Sequence, residues 1–165
     1  MKINKIWFVG IIVVIMGISI AWAVHVYTRP IVPAFIRSQM PSVILIPSGE
    51  NIVVDRHSMA ISHPPGQSDS VLNFNVTIDE VKLLVGEQPT PQQFVDIPKI
   101  YDKVVEQSKP YGSFDTVVGT VHLTRPQSKQ IAMLNSKGTY MLVQASKDLT
   151  IDQWRRLFRD IRLVQ

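Results

Sequence analysis

The stretch Val71-Leu72-Asn73-Phe74-Asn75-Val76-Thr77-Ile78 (VLNFNVTI, 71–78) alternates strictly between two kinds of residue. Leu72, Phe74, Val76 and Ile78 point one way, and Val71, Asn73, Asn75 and Thr77 the other, because successive side chains of a strand face opposite sides. A strand with one apolar row and one mixed row is half-buried, as in an antiparallel sheet with one face on a core. Asp79-Glu80 then reads as a turn, and Val81–Glu87 as the returning strand.

Working outward, Val43–Pro47, Ile52–Ile61, Phe114–Thr124, Lys129–Asn135 and Thr139–Ala145 are rich in Val, Ile, Thr and Leu and read as further strands. Asn135-Ser136-Lys137-Gly138 is a hairpin turn in which Gly138 can take positive φ. Two helices are signalled. Thr90-Pro91-Gln92-Gln93 has the residues of a capping box with proline at the first helical position, and the segment runs to about Ser108, kinked or divided at Pro98. Thr150-Ile151-Asp152-Gln153 is a second capping box. After it Ile151, Trp154, Leu157, Phe158 and Ile161 recur at helical spacing as a docking stripe, with Trp154 as anchor. Strand blocks around two helices without βαβ repetition predict an α+β domain over 43–165, an antiparallel sheet with both helices on one face.

Upstream the chain changes character. Ile6–Val24 (IWFVGIIVVIMGISIAWAV) is 19 residues without a charge, enough for a helix to cross about 30 Å of hydrocarbon. The anchor residues are Ile6, Trp7, Phe8, Val9, Ile11, Ile12, Val13, Val14, Ile15, Ile18, Ile20 and Trp22. Lys2 and Lys5 precede them, which favours a cytoplasmic N-terminus and an extracytoplasmic remainder. A competing reading takes Ala21-Trp22-Ala23 as a signal-peptide site cut after Ala23. Both readings export the rest. The organisation is therefore a stub and anchor over 1–27, a proline-containing stalk over 28–42 with a helical turn near Ala34–Gln39, and the domain.

The chain has 165 residues, 17 Lys+Arg against 13 Asp+Glu, and no cysteine. The missing cysteine excludes disulfide scaffolds, thiol enzymes and cysteine–zinc sites. Lys2, Lys5 and Arg29 flank the span, and residues 31–165 hold 14 Lys+Arg against 13 Asp+Glu. A nucleic-acid partner, which calls for basicity across a folded surface, is not expected.

The order of elements carries a resemblance. One apolar anchor and a proline-containing approach lead to strands, the Gly86-Glu87-Gln88-Pro89-Thr90-Pro91 junction, a helix and Tyr111-Gly112. Paired strands ending in Gly138-Thr139-Tyr140-Met141-Leu142-Val143 follow, then a helix opened by Leu149-Thr150. Over about residues 40–165 this resembles the uncharacterised single-pass, membrane-anchored extracytoplasmic domains of candidate-phylum bacteria such as Saccharibacteria. The last third is similar to an extracytoplasmic domain of unknown function in Gram-positive anchored proteins. The resemblance brings no catalytic residues.

Direct search for chemistry yields little. Asp55, His57 and Ser58 (in DRHS) are adjacent, but a catalytic triad is assembled from separate parts of a fold. They read as a polar strand segment. His57, His63 and His122 have no H-x-x-H or H-E-x-x-H spacing, and no Walker loop, GxGxxG or calcium loop occurs, so neither metal nor cofactor is expected. The one notable cluster is Arg155, Arg156, Arg159 and Arg162, placed off the apolar stripe of the last helix. It reads as a solvated face with pairs such as Asp152–Arg156, or as a contact for anionic headgroups, a cell-wall polymer or an acidic envelope protein. The functional expectation is a non-enzymatic, membrane-tethered domain for binding or scaffolding in the cell envelope. The alternative is an envelope hydrolase or transferase whose site draws on Asp55, His57, His63, His122 or Asp115.

Overall fold

Two meanders meet in the middle of one sheet. In the computed structural model the structure describes residues 31–64, 69–97 and 99–165, and residues 32–165 form one compact unit. The anchor over 6–24 and Pro98 lie outside the described residues, and among those described no helix is long and apolar enough to cross a membrane.

The alternating stretch is β3 (Val71–Ile78), flanked by β2 (Ile52–Ser62) and β4 (Val81–Pro89), each antiparallel to it. Asp79 and Glu80 join β3 to β4 with φ of 45° and 67°, the left-handed pair that a two-residue hairpin demands. The chain then crosses to the far edge and returns strand by strand. These strands are β5 (Gly112–Thr116), β6 (Gly119–Thr124), β7 (Ile131–Ser136) and β8 (Thr139–Ala145). β8 closes on β4, giving a seven-stranded antiparallel sheet in the order β2-β3-β4-β8-β7-β6-β5. Lys137 and Gly138, with φ of 53° and 78°, make the β7–β8 turn as expected.

One face of the sheet is the core. Leu72, Phe74, Val76 and Ile78 of β3, Leu83 and Val85 of β4, Met141 and Val143 of β8 and Val121 and Leu123 of β6 are all buried there. Helix α4 (Ile151–Arg159) covers it with Trp154, Leu157 and Phe158, each 0% exposed. Burying each such side chain contributes about 1.5–3 kcal/mol. Beside α4 lies a two-stranded ribbon of β1 (Ile44–Ser48) and β9 (Asp160–Val164), whose Ile44, Leu45 and Ile46 are buried. Helix α1 (Ala34–Gln39) and β1 pack against β2.

Four expectations change. The segment expected over 90–108 is divided, one of the two outcomes expected of it, into α2 (Gln92–Asp96) and α3 (Ile100–Gln107), with Lys99 left-handed at φ 61° between them. Its capping box does not form, because the Thr90 hydroxyl donates instead to Asn135 Oδ1 at 2.7 Å. The helices occupy opposite faces, not one. Phe94 of α2 packs edge-on against Tyr140, with ring centroids 5.4 Å apart, and Tyr140 points away from the buried Met141–Val143 row of β8. The strand expected over 114–124 is a hairpin broken at Val117-Val118, with Gly119 at φ 139°. Finally, the last helix stops at Arg159, and Ile161 and Arg162 lie in β9 opposite Pro47 and Ile46.

Candidate functional site

The arginine cluster is built by α4, and α4 is held at its start. Gln153 N–H donates to Thr150 Oγ1 at 3.2 Å and Thr150 N–H to Gln153 Oε1 at 2.9 Å, so the second capping box forms as read. Buried Gln130 accepts from Leu149 N–H at 2.7 Å and from the Trp154 indole N–H at 3.2 Å, while its amide donates to the Leu149 carbonyl. With Trp154, Leu157 and Phe158 turned to the sheet, the arginines of the next positions are left on the outer side.

Asp79, in the β3–β4 turn, accepts from the Gln153 side-chain amide at 3.1 Å and pairs with the Arg156 guanidinium. These two contacts, the Gln153 hydrogen bond first, hold the Asp79 carboxyl below its usual 3.8. Arg156 therefore pairs with Asp79, not with Asp152 as the helical spacing suggested. Arg155 lies 3.5 Å from Asp152 and Arg159 lies 3.2 Å from Asp160, and all four side chains are more than half exposed. Exposed pairs of this kind contribute about 0–1 kcal/mol and part readily. Arg162, in β9, does not line the groove described next.

Opposite α4 stands the β5–β6 hairpin. Between them runs a groove of about 610 Å³ lined by Phe114, Asp115, Thr116 and Val117 on one side and Asp152, Arg155, Arg156 and Arg159 on the other. The Phe114 ring meets Phe158 edge-on, centroids 6.2 Å apart, which ties this wall to the core. Val117 at the hairpin tip is 83% exposed. The Asp115 carboxylate accepts from the Thr120 hydroxyl at 2.7 Å. Chemically the groove offers the guanidinium donors of Arg155 and Arg159, with weak internal partners, facing a wall that includes Phe114 and Val117, a surface for carboxylates or phosphates carried on a partly apolar ligand.

The other candidates disperse. At the bulge in β2, Asp55 Oδ1 accepts from His57 N–H at 3.0 Å, and the Ser58 hydroxyl donates to the Asp55 carbonyl and accepts from Asn75 N–H. All three contacts shape backbone. His63 lies 3.2 Å from Ser70 Oγ, and His122 packs near the Tyr101 ring. Asp55 and His57 sit on β2, Asp115 and His122 on β5 and β6, at opposite ends of the strand order. Among the described residues no group of three His, Asp or Glu could hold a metal ion.

Glu87 went unread in the sequence. It lies on the inward row of β4 after Leu83 and Val85, 0% exposed, between Leu72 and Met141 on the neighbouring strands. Its Oε2 accepts from Leu45 N–H of β1 at 3.0 Å, and its Oε1 has no partner among the described residues. Burial pushes its carboxyl up to about 8, with the Leu45 N–H opposing. The period-two row of β4, continued by one more step, would have placed it in the core.

Comparison of the chain with protein-family models, with curated proteins and with solved structures finds no match.

Proposed function

We propose that the chain is a non-enzymatic, single-pass, membrane-tethered domain that binds or scaffolds an anionic partner in the cell envelope. The groove between α4 and the β5–β6 hairpin is its binding surface. The observation that carries this reading is the groove's chemistry: Arg155 and Arg159 line it with exposed neighbouring carboxylates as partners, across from Phe114. An incoming carboxylate or phosphate replaces those weak pairs at little cost and gains charge-assisted hydrogen bonds. The tether rests on the uncharged run Ile6–Val24 behind Lys2 and Lys5, which favours an N-terminus inside and the domain outside. The bilayer is then one standing partner, and an envelope protein or wall polymer the other.

The test compares tagged full-length chain with its Arg155→Gln/Arg159→Gln variant, both purified from membranes. Envelope components retained by the first and depleted from the second are the expected result. Identical profiles would remove the groove as the site. Mass measurement of the mature N-terminus distinguishes an anchored chain from one cut after Ala23.

A further inference from the structure

The groove runs along an open sheet edge as well as along a helix. β5 is the last strand of the seven-stranded sheet and pairs with β6 alone among the described strands. Its other side therefore presents main-chain N–H and C=O groups without strand partners, a template for one more strand. Phe114 faces the core layer and Asp115 the opposite face, yet both line the groove. A cavity lined by consecutive residues that face opposite sides of one strand meets that strand at its edge. The other end of the sheet differs, since β2 carries the Asp55–Ala60 bulge and has α1 and β1 packed against it. No lysine, proline or bulge blunts β5, whose one charge, Asp115, is engaged by Thr120.

Resting on the reading of the groove as the binding surface, we infer that its occupant is an extended acidic peptide segment that adds to β5 as an eighth strand. Main-chain hydrogen bonds to β5 supply the docking. Alternate side chains of the added strand point toward α4, and carboxylates there meet Arg155 and Arg159. The lining carries three arginines against Asp115 and Asp152, with Arg156 already held by Asp79 and with Asp115 engaged by Thr120 on the strand face away from α4. The strand at the groove, with one of its edges open, gives the main-chain pairing its direction, and the arginines give it a preference for acidic sequence.

The experiment uses full-length chain in detergent micelles and three short synthetic peptides. One alternates glutamate and threonine, one is the same peptide N-methylated at every main-chain nitrogen, and one replaces glutamate by glutamine. Binding is followed by calorimetry, and the added strand by isotope-edited infrared spectroscopy of labelled peptide. The glutamate peptide is expected to bind with the labelled strand signal, and N-methylation or Arg155→Gln/Arg159→Gln to weaken it about tenfold or more. Equal binding of the N-methylated peptide overturns strand addition while leaving the anionic groove intact. Equal binding of the glutamine peptide overturns the acidic preference. Absence of binding by all three overturns the inference, and envelope components still lost from the arginine variant would then show the groove taking a different anion. Dimerisation of the chain in sedimentation without peptide binding also overturns it, by giving the edge to a second copy.

Discussion

Replacing Glu87 by glutamine should convert a pH-dependent domain into a nearly pH-independent one on the alkaline side. Glu87 is 0% exposed and, among the described residues, its one hydrogen bond is from Leu45 N–H, so its ionised form lacks the solvation a carboxylate needs. Its carboxyl is raised from 4.5 to about 8 in the folded chain. Folded protein therefore keeps the proton over a range in which unfolded chain has lost it, and stability falls with rising pH. The slope is about 1.4 kcal/mol per pH unit for one proton. Taken from 4.5 to about 8, the loss is on the order of 5 kcal/mol, a large part of the roughly 5–15 kcal/mol that folded domains possess. The contribution is complete below 4.5, declines through neutrality and is gone above about 8. Glu87→Gln keeps the shape and an acceptor for Leu45 N–H but cannot ionise. Denaturant unfolding, followed by circular dichroism from mildly acidic to alkaline pH, should show variant and wild type within about 1 kcal/mol in acid. They should diverge steadily above it, with the variant the more stable. Parallel curves across that range would show that Glu87 is not desolvated in the fold, and the placement of β1 over β4 would need revision.

Three further perturbations test the packing around the site. Trp154→Ala should lower unfolding stability by about 3–5 kcal/mol, since a fully buried ring that also donates to Gln130 leaves a cavity under α4; a denaturant midpoint near wild type would contradict that. Thr150→Ala should cost about 1 kcal/mol through the lost capping bond to Gln153 N–H, with Thr150→Ser restoring most of it in the same assay. Asp79→Asn acts on the acid side. The lowered Asp79 carboxyl contributes stability that is present above 3.8 and lost as pH falls through its folded value, so the variant's acid-unfolding curve should be flatter than wild type. Superimposable curves would separate Asp79 from the Gln153–Arg156 contact.

Much of the sheet was legible because its signals are local. The alternation of 71–78, the turns at Asp79-Glu80 and Asn135–Gly138 and the Thr150–Gln153 box each depend on residues within a few positions of one another. The failures were non-local. Asp160–Val164 continues a helical pattern in sequence, yet pairs with β1 more than a hundred positions upstream because that ribbon covers the core. Thr90 has the composition of a cap, but Asn135 competes for its hydroxyl from another strand. The helices divide between the two faces because Tyr140 offers Phe94 an aromatic platform on the side opposite Trp154.

For the site, residue type and helical spacing were enough to mark Arg155, Arg156 and Arg159 as an outward cluster, since a side chain's place on a helix follows from its position in the chain. Nothing in that spacing says what stands across from them. Only folding brings the β5–β6 hairpin to α4, ties Arg156 to Asp79 and sets Arg155 and Arg159 across a groove from Phe114, beside the sheet's edge strand. The apolar row of β4 could have warned of Glu87, but the height of its carboxyl depends on β1 lying over it. Local pattern dictates which side of an element a residue occupies; solvation and partnership are properties of what the rest of the chain places against that side.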